Sequence, residues 1–113
     1  MITIGKLREF GADVDEALKR CMNNEAFYLR LVEKAALDPS FDRLKEAVDA
    51  GDLEKGFELA HALKGTMGNL SLTPIFRPVV EITEHLRGRE QMDYTPCLNE
   101  ILGRRDDLVA LLR

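Results

Sequence analysis

Between Leu53 and Leu70, apolar side chains recur at intervals of three and four residues: Leu53, Phe57, Ala60, Leu63, Met67 and Leu70. A helix with one face turned inward brings such positions together, so this stretch commits the chain to packed helices. At about 100° per residue, His61 falls on the border of the stripe, roughly a third of a turn from its centre. Lys64 follows it by three residues, Gly65 by four and Gly68 by seven, so all of them stack beside the imidazole.

The glycines carry the most information. Each costs a helix interior about 1 kcal/mol relative to alanine. Two of them beside a histidine leave a strip of bare backbone where another molecule can approach the ring. They also suit close packing of a neighbouring helix, and the two uses are compatible. Lys64 supplies positive charge without competing for a metal, which suits an anion arriving at the imidazole. An imidazole in its neutral form is a nucleophile. Together these residues describe an exposed histidine that accepts a phosphoryl group.

At these positions the chain resembles the histidine-phosphotransfer (HPt) domains of multistep phosphorelays. Their helix carries His-x-Leu-Lys-Gly, often continued as x-x-Gly-Asn-[Leu/Ile]-Gly. Here the core is His61-Ala62-Leu63-Lys64-Gly65, continued by Gly68-Asn69-Leu70. Ser71 and Leu72 depart from the common Gly-Ala at the helix exit. A weaker likeness spans about residues 11 to 87, with Gly51-Asp52-Leu53 before the motif and Glu81 after it.

The resemblance implies His61 as phosphoacceptor, with Lys64 steadying the phosphoryl group. It implies a docking patch of Phe57, Glu58, Lys64, Gly65 and Gly68. Its expected partners are response-regulator receiver domains and a hybrid sensor histidine kinase. The protein would hold no cofactor of its own, the receiver bringing Mg²⁺. It would be a monomeric carrier without kinase activity.

Caps and breakers divide the rest of the chain. Residues 2–9 suggest a short amphipathic helix ending near Gly11. Asp13 with Glu16 opens another, to about Cys21. Asn23 or Asn24 caps a segment with Phe27, Leu31, Val32 and Ala35 inward. Pro39 then starts a segment carrying Phe41, Leu44, Ala47 and Val48. These two segments read as one long arm kinked at Pro39, the form usual in HPt domains, in preference to two helices. Gly51 and Asp52 turn the chain into the histidine helix, which runs to about Leu70. Thr73-Pro74 opens a helix with Ile75, Val79, Ile82 and Leu86 inward, closed by Gly88. Thr95-Pro96 opens the last, through Leu98, Ile101, Leu102, Leu108 and Leu111, with Gly103 its weak point. The expectation is one all-α domain over residues 1–113, an antiparallel four-helix bundle with a short N-terminal helical cap.

Composition narrows the function. A chain of 113 residues is long enough for one core, and Val, Ile and aromatic residues are too scattered for a sheet. A net charge of −4 argues against nucleic acid as partner. There is no long apolar run, signal peptide or lipidation motif, so a free-standing cytoplasmic protein is expected, with no membrane contact. In that compartment Cys21 and Cys97 stay reduced. His85 with Glu81 reads as an exposed helix pair, and Asn69 as a residue of the helix end. The alternative class is a helical adaptor that binds a kinase or receiver without carrying phosphate. A metal-binding bundle built on His61 and His85 is a distant third.

Overall fold

A computed structural model describes all residues, 1–113. Seven helices follow one another: α1 (Ile4–Phe10), α2 (Val14–Arg20), α3 (Glu25–Ala36), α4 (Ser40–Asp49), α5 (Leu53–Asn69), α6 (Thr73–Arg87) and α7 (Thr95–Ala110). Three-residue connections, Ala50–Asp52 and Leu70–Leu72, fold α4, α5 and α6 back on one another. α5 packs against α4 and α6, α6 against α7, and α7 closes the ring against α3 and α4. With α3 and α4 sharing one wall, this is the expected antiparallel four-helix bundle, and α1 and α2 form its cap.

Side-chain caps set most of the helix starts. Asp13, Asn24 and Asp52 accept hydrogen bonds from the N–H groups of Glu16, Phe27 and Lys55 at 3.3, 3.0 and 3.1 Å. Thr73-Pro74 opens α6 as expected, with Leu72 and not the threonine at the cap position. Thr73 lies inside α6, and its hydroxyl turns back to Ser71 O. Gly103 does not interrupt α7. Pro78 sits buried inside α6, and its carbonyl accepts the Cys97 thiol at 3.4 Å. Cys21 is buried and Cys97 half-buried, both as free thiols. Burial, helped by Glu81 and Glu100, pushes the Cys97 thiol up to about 11.

The wall that the sequence reads as a kinked arm is two helices. Asp38 N–H turns to Ala35 O, Pro39 has no N–H, and Ser40 N–H donates to the Asp38 carboxylate at 2.8 Å. The i→i−4 ladder is therefore lost over three residues. In α3, Val32 and Ala35 are buried as expected and Leu31 is half-buried, but the inward aromatic is Tyr28 and not Phe27. Phe27 is 42 % exposed, whereas Tyr28 is wholly buried and donates its hydroxyl to Leu70 O at 2.9 Å. A tyrosine with a partner for its O–H outcompetes a phenylalanine whose site faces the surface.

That bond is part of how the histidine helix ends. Leu72 N–H reaches Met67 O and Ser71 N–H reaches Gly68 O, the paired bonds of a Schellman motif. Ser71 takes the left-handed position, φ 53°, where glycine is usual. The common Gly-Ala exit is thus replaced without loss of the turn. Arg20 compensates from α2. Its guanidinium donates to Asn69 O and Gly68 O at 3.0 Å and to Ser71 Oγ at 2.9 Å. These bonds occupy carbonyls that a helix end otherwise leaves to water. Arg20→Met is expected to lower stability by about 1–2 kcal/mol, as charge-assisted bonds to the helix end are lost. Ser71→Gly should be neutral or mildly stabilising, because relief of the left-handed serine offsets one lost bond. Chemical denaturation of the two variants checks both.

Candidate functional site

Each half of α5 has its own surroundings. On its inner face Gly56, Ala60, Leu63 and Met67 are buried in the core. Gly56 is needed there: a β-carbon would lie 3.1 Å from Val48 Cγ2 and 3.5 Å from a Leu86 methyl. The outer face carries His61, which is exposed between buried Ala60 and Leu63. His61 therefore sits mid-helix on a rigid element, with the backbone beneath it held by core packing on both sides.

Phe57, one turn earlier, is half-buried, and its ring stacks on the imidazole with centroids 5.7 Å apart and planes 21° from parallel. This is the spacing of an attractive offset stack. The far end of α6 covers the same phenylalanine. The Arg87 and Arg89 guanidinium carbons lie 4.9 and 5.5 Å from its ring centroid. Each such contact contributes about 0.5–1 kcal/mol at an exposed site. Arg87 is steadied by Glu84, Nε to Oε2 at 2.9 Å. That hydrogen bond and charge, with a smaller push from Lys64, hold the Glu84 carboxyl below its usual range. Arg89 occupies a left-handed position, φ 52°, just past Gly88, and donates to Leu86 O at 2.6 Å.

Lys64, three residues after His61, is half-buried and enters no salt bridge. Glu58, three residues before His61, is exposed. The two glycines of the motif separate in role. Gly65 is exposed and a β-carbon there would meet nothing within 4 Å, so its face is open. Gly68 lies under Phe76, where a β-carbon would come 3.0 Å from Cε1. The first glycine leaves space for a visitor; the second makes room for α6. Gly68, packed on Phe76, stays half-exposed. Gly65→Ala is expected to be more stable than Gly68→Ala by about 1 kcal/mol, since both gain helix propensity and only one crowds a ring. Thermal unfolding of the pair tests this.

His85, the second histidine, pairs through Nδ1 with Glu90. No group of three or more His, Cys, Asp or Glu side chains is placed to hold a metal. The largest hollow, of about 660 Å³, lies between Leu31, Leu37, Pro39 and the Thr66–Leu70 end of α5, away from His61. The imidazole is exposed and outside this hollow, which suits a macromolecular partner better than an enclosed small substrate.

The stack on Phe57 is visible in the sequence as an i, i+4 aromatic pair. Arg87 and Arg89 carry no such signal, since only the antiparallel register of α6 on α5 brings them to Phe57. No α-helix of the chain is long and apolar enough to cross a membrane. A model of the Hpt domain family matches residues 32–113, from within α3 to the last residue. The likeness noted in the sequence began earlier, near residue 11, whereas the match leaves α1, α2 and most of α3 outside and takes in α7. No curated protein and no solved structure matches the chain.

Proposed function

Because the chain belongs to the Hpt domain family, whose members transfer phosphoryl groups in phosphorelays through receiver domains and kinases, we propose that His61 carries the phosphoryl group between receiver aspartates. The observation that supports this most strongly is the pairing of an exposed mid-helix imidazole with an open Gly65 and an unpaired Lys64. In the forward step the lone pair of an imidazole nitrogen attacks the phosphorus of an aspartyl phosphate. A P–N bond forms as the P–O bond to the carboxylate breaks, and the electron pair leaves on that carboxylate. The return step reverses this toward a second aspartate.

This chain would contribute position and charge. The bundle would fix α5, Phe57 would orient the ring, and Lys64, three residues after His61, would supply positive charge to the phosphoryl oxygens. Mg²⁺ and the acidic pocket would come with the receiver. Docking would use Glu58, Lys64, Gly65 and the exposed rim of Phe57, a small interface suited to transient contact. We take the chain to act as a monomer, on receivers and a hybrid sensor kinase in the cytoplasm.

The test is transfer from a receiver domain charged with acetyl phosphate and Mg²⁺. The expected product is a label on this protein that is acid-labile and alkali-stable. Binding without label would instead mark a helical adaptor. Access is tested separately by Gly65→Leu. It should fold at least as well as wild type, because nothing crowds the site and leucine favours helix. It should transfer about tenfold more slowly or worse, since displacement by 1 Å can cost a hundredfold.

A further inference from the structure

The acceptor proposed above is an exposed side chain, and an exposed histidine ordinarily swings among rotamers. His61 has one partner that restrains it, and that partner is itself restrained. We propose that Phe57, clasped by Arg87 and Arg89, is the positioning residue of the acceptor: it holds the imidazole plane in one orientation for in-line attack.

The ring stack and the arginines over it carry this. The rings of Phe57 and His61 are near-parallel at stacking distance. Two guanidinium groups from another element lie over the same phenylalanine, so the ring is held from α6 as well as from α5. Arg89 reaches it from a left-handed backbone position, φ 52°, that glycine would hold with less strain. Each arginine also has a fixed anchor, Arg87 on Glu84 and Arg89 on the Leu86 carbonyl. The order of the imidazole therefore descends from the C-terminal end of α6, through Phe57, to His61.

The proposal rests on His61 being the acceptor, and the experiment separates the two. Phe57→Leu, Phe57→Tyr and the pair Arg87→Gln with Arg89→Gln are compared with wild type as acceptors from a receiver charged with acetyl phosphate and Mg²⁺. Phe57→Leu should slow transfer at saturating receiver about tenfold, a larger change than the one it makes in the half-saturating receiver concentration. Phe57→Tyr, which keeps the ring, should restore the rate, and the double arginine variant should fall between. In proton NMR the His61 ring signals should lie upfield in wild type and Phe57→Tyr, and lose that ring-current shift in Phe57→Leu. Leu and Tyr variants that transfer at equal rates would overturn the positioning role while the acceptor stands. A wild type that takes no label would overturn the acceptor reading, and the positioning role with it.

Discussion

His61→Gln is expected to take no phosphoryl label from a charged receiver while unfolding within about 0.5 kcal/mol of wild type. The side chain is exposed, and glutamine is a good helix former of similar reach. What the substitution removes is the nucleophilic ring nitrogen and the stack on Phe57. Neither contributes to the core, whose neighbouring members Ala60 and Leu63 stay in place. A variant that still acquires acid-labile label would move the acceptor elsewhere, His85 being the other histidine. A variant that fails to fold would show His61 to be structural. Labelling and denaturant unfolding together distinguish these results.

The largest expected effect on stability lies away from the acceptor. Tyr28→Ala should cost about 3–5 kcal/mol, the range for removing a fully buried large aromatic. Tyr28→Phe isolates the hydroxyl. It leaves the Leu70 carbonyl without its 2.9 Å bond and should cost about 1–2 kcal/mol. A domain of this size has some 5–15 kcal/mol in all, so the alanine variant approaches unfolding at body temperature. Thermal melts would show the loss, at about 4 °C or more per kcal/mol.

The phenol also has a pH signature. Burial, with Cys21 and Asp13 adding, raises it to about 12 from its usual 10. The charged phenolate is the form disfavoured in the fold. Its contribution to stability is therefore intact below about pH 10 and is lost as pH rises toward 12. Spectrophotometric titration should find Tyr28 protonated until the protein unfolds.

The acceptor helix was legible because its signals are local. The apolar period of Leu53 to Leu70, the Asp52 cap and the Gly51 turn all act within a few residues, and α5 follows them. α6 was legible for the same reason: Ile75, Val79, Ile82 and Leu86 are all buried. The arm was not. A proline after Asp38 is compatible with a kink or a break, and the choice is made by where Ser40 N–H finds an acceptor. In α3 both Phe27 and Tyr28 are large aromatics, and helical spacing alone cannot say which faces the core. The answer depends on Leu70 O, forty-two residues away. The motif glycines look alike in sequence and differ only because Phe76 of α6 lies over one of them. Arg87 and Arg89 are equally long-range, as their place at Phe57 follows from tertiary register. The left-handed Ser71 is tolerated through Arg20, a bond no local pattern announces.

The most direct measurement is site mapping of the phosphoryl group. Wild-type protein is charged from a receiver with acetyl phosphate and Mg²⁺, kept alkaline, digested and sequenced by tandem mass spectrometry. The account predicts one added phosphoryl group, on His61 alone. Phosphate on His85 or on a carboxylate, or receiver binding with no phosphate anywhere, would contradict it.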